Sequence, residues 1–118
     1  MKDKAKLKKD KFIRRQRRTR VKMTGTPEKP RLSVFRSLMH ISAQAIDDIA
    51  GKTLTAISDK EIKAKGNKTE KAALVGEAIG KKLMDKKIDK IVFDKGAYKY
   101  HGRVKALAEG IRKSGVKF

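Results

Sequence analysis

Twelve lysines and arginines crowd into residues 1–22 of this chain. They are Lys2, Lys4, Lys6, Lys8, Lys9, Lys11, Arg14, Arg15, Arg17, Arg18, Arg20 and Lys22, and only Asp3 and Asp10 oppose them. Charges at this density cannot enter an apolar interior without partners, so the segment is barred from any core. About half of the formal net charge of +20 sits there. Leu7, Phe12, Ile13 and Val21 are the sizeable apolar side chains beyond the first methionine. The expectation is a basic arm, residues 1–22, disordered when alone in water. A solvated tail or a mitochondrial transit peptide would share this composition. The arginine-dense run RRQRRTR at 14–20 favours another reading. A guanidinium forks onto phosphate and stacks on bases where an ammonium offers a point charge, so the arm reads as one that orders on RNA.

The rest of the chain must supply the fold. A length of 118 residues with 38% apolar content supports one domain around one small core. A compact body with 33 basic and 13 acidic residues repels itself, which points to a polyanionic partner. Nucleic acid is the first candidate and an anionic membrane surface the second. The sequence has no apolar run of bilayer length, and its basic start lacks the apolar stretch of a secretory signal, so a soluble, cytoplasmic protein is expected. The absence of cysteine excludes disulfides, thiolate catalysis and zinc–thiolate sites. His40 and His101 lie too far apart in sequence to suggest a metal site, and no cofactor motif is present.

Both prolines fall within 23–30, MTGTPEKP, which reads as a linker, and the folded domain is expected over 31–118. Leu32 and Val34 alternate with Arg31, Ser33 and Phe35, the period of a half-buried strand. Residues 40–46 repeat the pattern, with Ile41, Ala43 and Ala45 against His40, Ser42 and Gln44. After the turn residues 47–51, a third strand follows at 52–58, with Leu54 and Ala56 inward and Thr53 and Thr55 outward. Asn67 and Glu70 form a helix-start pair ahead of Ala72, Val75, Gly76, Ile79 and Leu83 on one face. Gly76 and Gly80 each cost about 1 kcal/mol of helix propensity, for which a close approach of this helix to the sheet would compensate. A short strand over 88–94 and a helix from about 102 to 114 complete the pattern. The fold class is α/β, a two-layer sandwich in the order β-β-β-α-β-α. It has an antiparallel three-stranded meander plus a parallel strand joined by a right-handed crossover.

Helices covering one sheet face would leave Arg31, Ser33, Phe35, Ser42, Gln44, Thr53 and Thr55 on the other. Such a face is equally suited to solvent, but beside a basic arm it offers hydroxyls and an aromatic ring to RNA. The loop FDKGAYKYHGRV at 93–104 gathers both tyrosines, a histidine and several cations between glycines. As an active site it would need further carboxylates around paired metals; Asp47, Glu61 and Glu77 have no spacing that promises this, and no nucleophile motif is present. As a binding loop it needs nothing more: Tyr98 and Tyr100 can stack, and His101, Lys99 and Arg103 lie beside a helix N-terminus. One tyrosine filling the core and His101 capping the helix is the structural alternative.

RLSVFRS at 31–37, HISAQAID at 40–47, GKTL at 51–54 and FDKGAYKYHGRVKALAEGIRKSGVKF at 93–118 resemble the family of bacterial large-subunit ribosomal protein eighteen, which binds 5S ribosomal RNA. The resemblance covers essentially the whole chain. It implies a non-enzymatic structural protein of the large subunit that attaches 5S rRNA to 23S rRNA in the central protuberance, beside neighbouring 5S-binding proteins. No membrane and no small-molecule substrate are implied. On matching positions it places RNA contacts at Arg14, Arg15, Arg17, Arg18 and Arg20 in the arm, and at Arg31, Ser33, Phe35, His40 and Gln44 on the strands. In the loop it places them at Gly96, Tyr98, His101, Gly102 and Arg103. Ser42 stands where the family often has an aromatic, and Ala97 where a second glycine often follows Gly96. A basic architectural protein that binds nucleic acid without preference is the alternative that charge alone supports.

Overall fold

The computed structural model describes residues 4–20 and 24–118. Residues 1–3 and 21–22 of the expected arm, and residue 23 of the expected linker, lie outside the described residues. The elements are α1 (Lys4–Arg20), β1 (Arg31–Arg36), β2 (Ile41–Asp47), β3 (Lys52–Ser58), α2 (Lys68–Asp85), β4 (Val92–Asp94) and α3 (Arg103–Lys113). One sheet has the strand order β3-β2-β1-β4, with β1–β2 and β2–β3 antiparallel and β4 parallel to β1. From β1 onward this is the expected α/β order.

Where a disordered arm was expected, the structure has the α1 helix. Its 17 residues contain neither glycine nor proline and are rich in Lys, Arg and Gln, which are good helix formers. Phe12, Ile13 and Gln16 lie on adjacent turns and are half-buried, while Arg14, Arg15, Arg17 and Arg18 are exposed. The segment after α1 is more than a linker. Gly25 and Pro30 are buried, and the Asp48 amide donates to the Gly25 carbonyl at 3.0 Å. A side chain at position 25 would collide with the backbone of Ile46 and Arg31, so only glycine lets the chain pass so close to the sheet.

The core joins Leu32, Val34, Ile41, Ala43 and Ala45 of the sheet to Ala72, Val75, Ile79 and Leu83 of α2 and Val104, Leu107 and Ile111 of α3. Each of these leucine, isoleucine and valine side chains, fully buried, stabilises the fold by about 1.5–3 kcal/mol. Asn67 caps α2 as expected, its Oδ1 accepting from the Glu70 amide at 2.8 Å. The glycines of α2 serve a different approach from the expected one, which was to the sheet. A Cβ on Gly76 would meet the Leu107 carbonyl, one on Gly80 would meet Ser114, and one on Gly110 would meet the Ala73 carbonyl. The close contact is therefore helix against helix, α2 on α3.

The third strand also departs from the expected facing. Ala43 pairs with Ile57 and Ala45 with Thr55, but Ile46 pairs with Thr53. The extra residue, Leu54, is a bulge that reverses the alternation on either side of it. Thr55 consequently shares the covered face with Ala45, and Ala56 lies on the open face beside Gln44.

Candidate nucleic-acid interface

Asp94 closes β4 fully buried and sets the loop that follows. Its Oδ1 accepts from the Gly96 amide at 2.8 Å, and its Oδ2 accepts from Arg31 Nη1 at 2.9 Å. Gly96 has φ of +64°, a conformation that favours glycine. Arg31 turns its remaining donors on Asp48, Nε to Oδ2 and Nη2 to Oδ1, both at 3.0 Å. Asp48 Oδ2 also receives the Gly25 amide at 2.7 Å. The Asp48 hydrogen bonds hold the Arg31 pKa above its ordinary value against the opposing effect of burial, and Asp94 adds to them. Arg31 is only 7% exposed. Arg31, expected on the open face, thus lies in an internal ion pair, because two aspartates distant in sequence converge on it.

Arg103, at the start of α3, is also directed inward. Its Nη1 donates to the Ser37 carbonyl at 2.9 Å and its Nη2 to the His40 carbonyl at 3.0 Å. The loop is thereby pinned to the β1–β2 hairpin. Burial, then the neighbouring Arg36, lowers the Arg103 pKa, with Asp59 acting the other way. His40 lies in the same corner, Nδ1 3.2 Å from Oδ1 of the buried Asp59. Gly102, with φ of +56°, precedes α3 without a side-chain cap.

Tyr98 carries the loop across to α1. Its hydroxyl accepts from the Arg36 amide and donates to the Arg36 carbonyl, both at 3.2 Å, like one more rung on the end of β1. The Arg36 guanidinium lies 4.9 Å from the ring centroid, within cation–π range. The ring of Phe12 meets Tyr98 edge-on, with centroids 5.8 Å apart. Between α1 and the loop opens a cleft of about 760 Å³, with walls that include Phe12, Arg15, Arg36, Tyr98, Tyr100 and His101. None of its lining residues is acidic.

The structure therefore brings Arg15, Tyr98 and His101 together around one cleft. Arg14 and Arg18 border a second, smaller hollow with Lys11 along α1, Arg17 is exposed, and Arg20 ends the helix. Ser33, Phe35 and Gln44 share the open sheet face, where Phe35 is exposed and Gln44 Oε1 accepts from Thr53 Oγ1 at 3.3 Å. That face is separate from the cleft lining. Phe12 and Arg36 are absent from the expected contacts. Phe12 carried a signal, being the sole aromatic in a cationic segment; Arg36 carried none, since strand alternation turns it away from Phe35.

A cationic helix set beside an aromatic, cation-lined loop on an α/β sandwich defines a protein of the nucleic-acid-binding class. Among the described residues no helix is long and apolar enough to cross a membrane, and no cluster of His, Asp and Glu could hold a metal. A family model described as ribosomal L18 of archaea, bacteria, mitochondria and chloroplasts matches residues 6–118. The chain is 55% identical over 112 residues to large ribosomal subunit protein uL18 of Alkaliphilus oremlandii, covering 90% of this chain and 91% of the relative. It is 55% identical over 116 residues to the protein of that name from Thermotoga petrophila, with 94% and 95% covered. With that of Chloroherpeton thalassium it shares 52% over 117 residues, with 93% and 98% covered. The chain belongs to the ribosomal L18 family. Membership makes it an RNA-binding ribosomal protein with a structural role, not an enzyme.

Proposed function

We propose that this chain binds 5S rRNA and helps attach it to 23S rRNA in the central protuberance, beside neighbouring 5S-binding proteins. As a family member it is a structural constituent of the large ribosomal subunit, and ribosomal RNA and proteins are its partners. The observation that carries the finer reading is the meeting of arm and loop. Phe12 of α1 and Tyr98 of the loop touch although 86 positions separate them, so phosphate-binding cations and base-stacking rings face one cleft. Phosphate contacts position a protein on RNA, while rings and shape select the site. Ser33, Phe35, His40 and Gln44 supply a second, polar contact surface in this reading, and Gly96 and Gly102 let the RNA backbone approach the loop.

The test is equilibrium binding to 5S rRNA at about 0.15 M salt, where surface charges are well screened, with excess transfer RNA as competitor. Binding that survives the competitor supports the 5S assignment. Binding that the competitor abolishes leaves the non-selective basic protein that charge alone would give.

A further inference from the structure

We infer that the cleft between α1 and the 96–102 loop receives one unpaired nucleotide extruded from the bound RNA, with its base against Tyr100 and its phosphate toward Arg15 and Arg36. The inference rests on the RNA-binding reading above and specifies the chemical form in which RNA enters.

The chain has only six aromatic residues, and three of them, Phe12, Tyr98 and Tyr100, line this cleft. Their roles differ. Tyr98 is already engaged: its hydroxyl by the Arg36 backbone, a face by the Arg36 guanidinium and its ring by Phe12. It is a fixed wall. Tyr100 remains 42% exposed, yet it is braced from behind. Its ring stands at 88° to that of Phe93, with centroids 6.1 Å apart. Phe93 stacks on Phe118 at 5.3 Å, and the Arg112 guanidinium lies 4.3 Å from the Phe118 centroid. An exposed ring with so ordered a backing loses little freedom when a base stacks on it.

The lining fixes the ligand class. Arg15, Arg36 and Lys99 supply positive charge, no acidic residue is among the lining, and the one aliphatic side chain is that of Ala97. This chemistry suits a flat, anionic group and offers little to an acyl chain or an aliphatic peptide. A volume of about 760 Å³ lies within the roughly 300–1,000 Å³ of small-ligand sites. Such a cleft accommodates a single nucleotide, whereas a duplex would have to remain outside. An unpaired nucleotide also leaves its helix at the smallest cost.

The experiment uses the full chain and a set of 5S rRNAs in which single unpaired nucleotides are replaced, one at a time, by abasic residues. Affinities are measured at one salt concentration for the wild type, Tyr100→Leu and Tyr100→Phe. Leucine keeps apolar packing on Phe93 without a flat ring, and phenylalanine keeps the ring. The expected result is one abasic position that weakens the wild type and Tyr100→Phe by about 5- to 150-fold, the range of one base–aromatic stack, and leaves Tyr100→Leu unchanged because that variant has already lost the stack. Selective 5S binding in which every abasic position acts independently of residue 100 would overturn the nucleotide receptor alone. Wild-type binding that transfer RNA abolishes would overturn the 5S reading and the receptor with it.

Discussion

Arg14, Arg17 and Arg18 on α1 are exposed along a helix, whereas Arg31 and Arg103 in the folded domain are turned on groups of their own chain. The resemblance to the ribosomal family assigns all five to RNA. The structure separates them by what lies within reach. Two aspartates surround Arg31, and two carbonyls of a hairpin surround Arg103. The difference teaches that a guanidinium placed where the fold already offers acceptors holds the fold together, and one exposed along a helix can turn to a partner.

The most severe way to break this comparison is Arg31→Ala. Removing one partner from a buried ion pair leaves Asp94 uncompensated, and a loss of about 3–5 kcal/mol is expected in denaturant unfolding. At conditions where the variant remains folded, the salt dependence of RNA binding should be that of the wild type. A variant as stable as the wild type would show that Arg31 is not structural.

Arg103→Ala should cost less. Two charge-assisted hydrogen bonds to the hairpin carbonyls vanish at a half-buried site, and about 1–2 kcal/mol is expected. Arg103→Lys should recover only part of this, because an ammonium cannot reproduce the guanidinium fork. Equal recovery by lysine would mean that charge, not the two-carbonyl geometry, is what matters.

The smallest effect on stability belongs to the triple variant Arg14→Gln, Arg17→Gln, Arg18→Gln, within about 0.5 kcal/mol, as for other exposed positions. Its effect on RNA is the sharpening test. If each arginine neutralises one phosphate, the slope of log affinity against log salt should fall by about 2 to 3, at 0.7–0.9 per contact. An unchanged slope would remove these residues from the interface. Substitution is preferable to deleting the arm, because deletion also removes Phe12 from the cleft.

Local patterns made much of the fold legible. Alternation located β1 and β2, and the Asn67 and Glu70 pair located the start of α2. Features that depend on distant partners stayed hidden. The Leu54 bulge is defined by pairing with β2, so the alternation of β3 alone gave Thr55 and Ala56 the wrong faces. Residues 116–118 show no strand pattern, yet the Ile91 amide donates to the Lys117 carbonyl and the Lys117 amide to the Asp89 carbonyl. The loop was legible as a cluster of chemistry, but its neighbours were not. Phe12 and Arg36 join Tyr98 only through the tertiary fold, and the aspartates that withdraw Arg31 are 17 and 63 positions away.

The hydrogen-bonded path from Gly25 through Asp48, Arg31 and Asp94 to Gly96 has a geometric consequence. It ties the chain five positions after the end of α1 to the second residue of the 95–102 stretch, through one guanidinium. The chain ahead of β1 and the root of the loop are thus held on a common frame, set by bond lengths. In the proposed reading, an RNA meets a loop root whose position the fold has already set, so the RNA must conform to the loop.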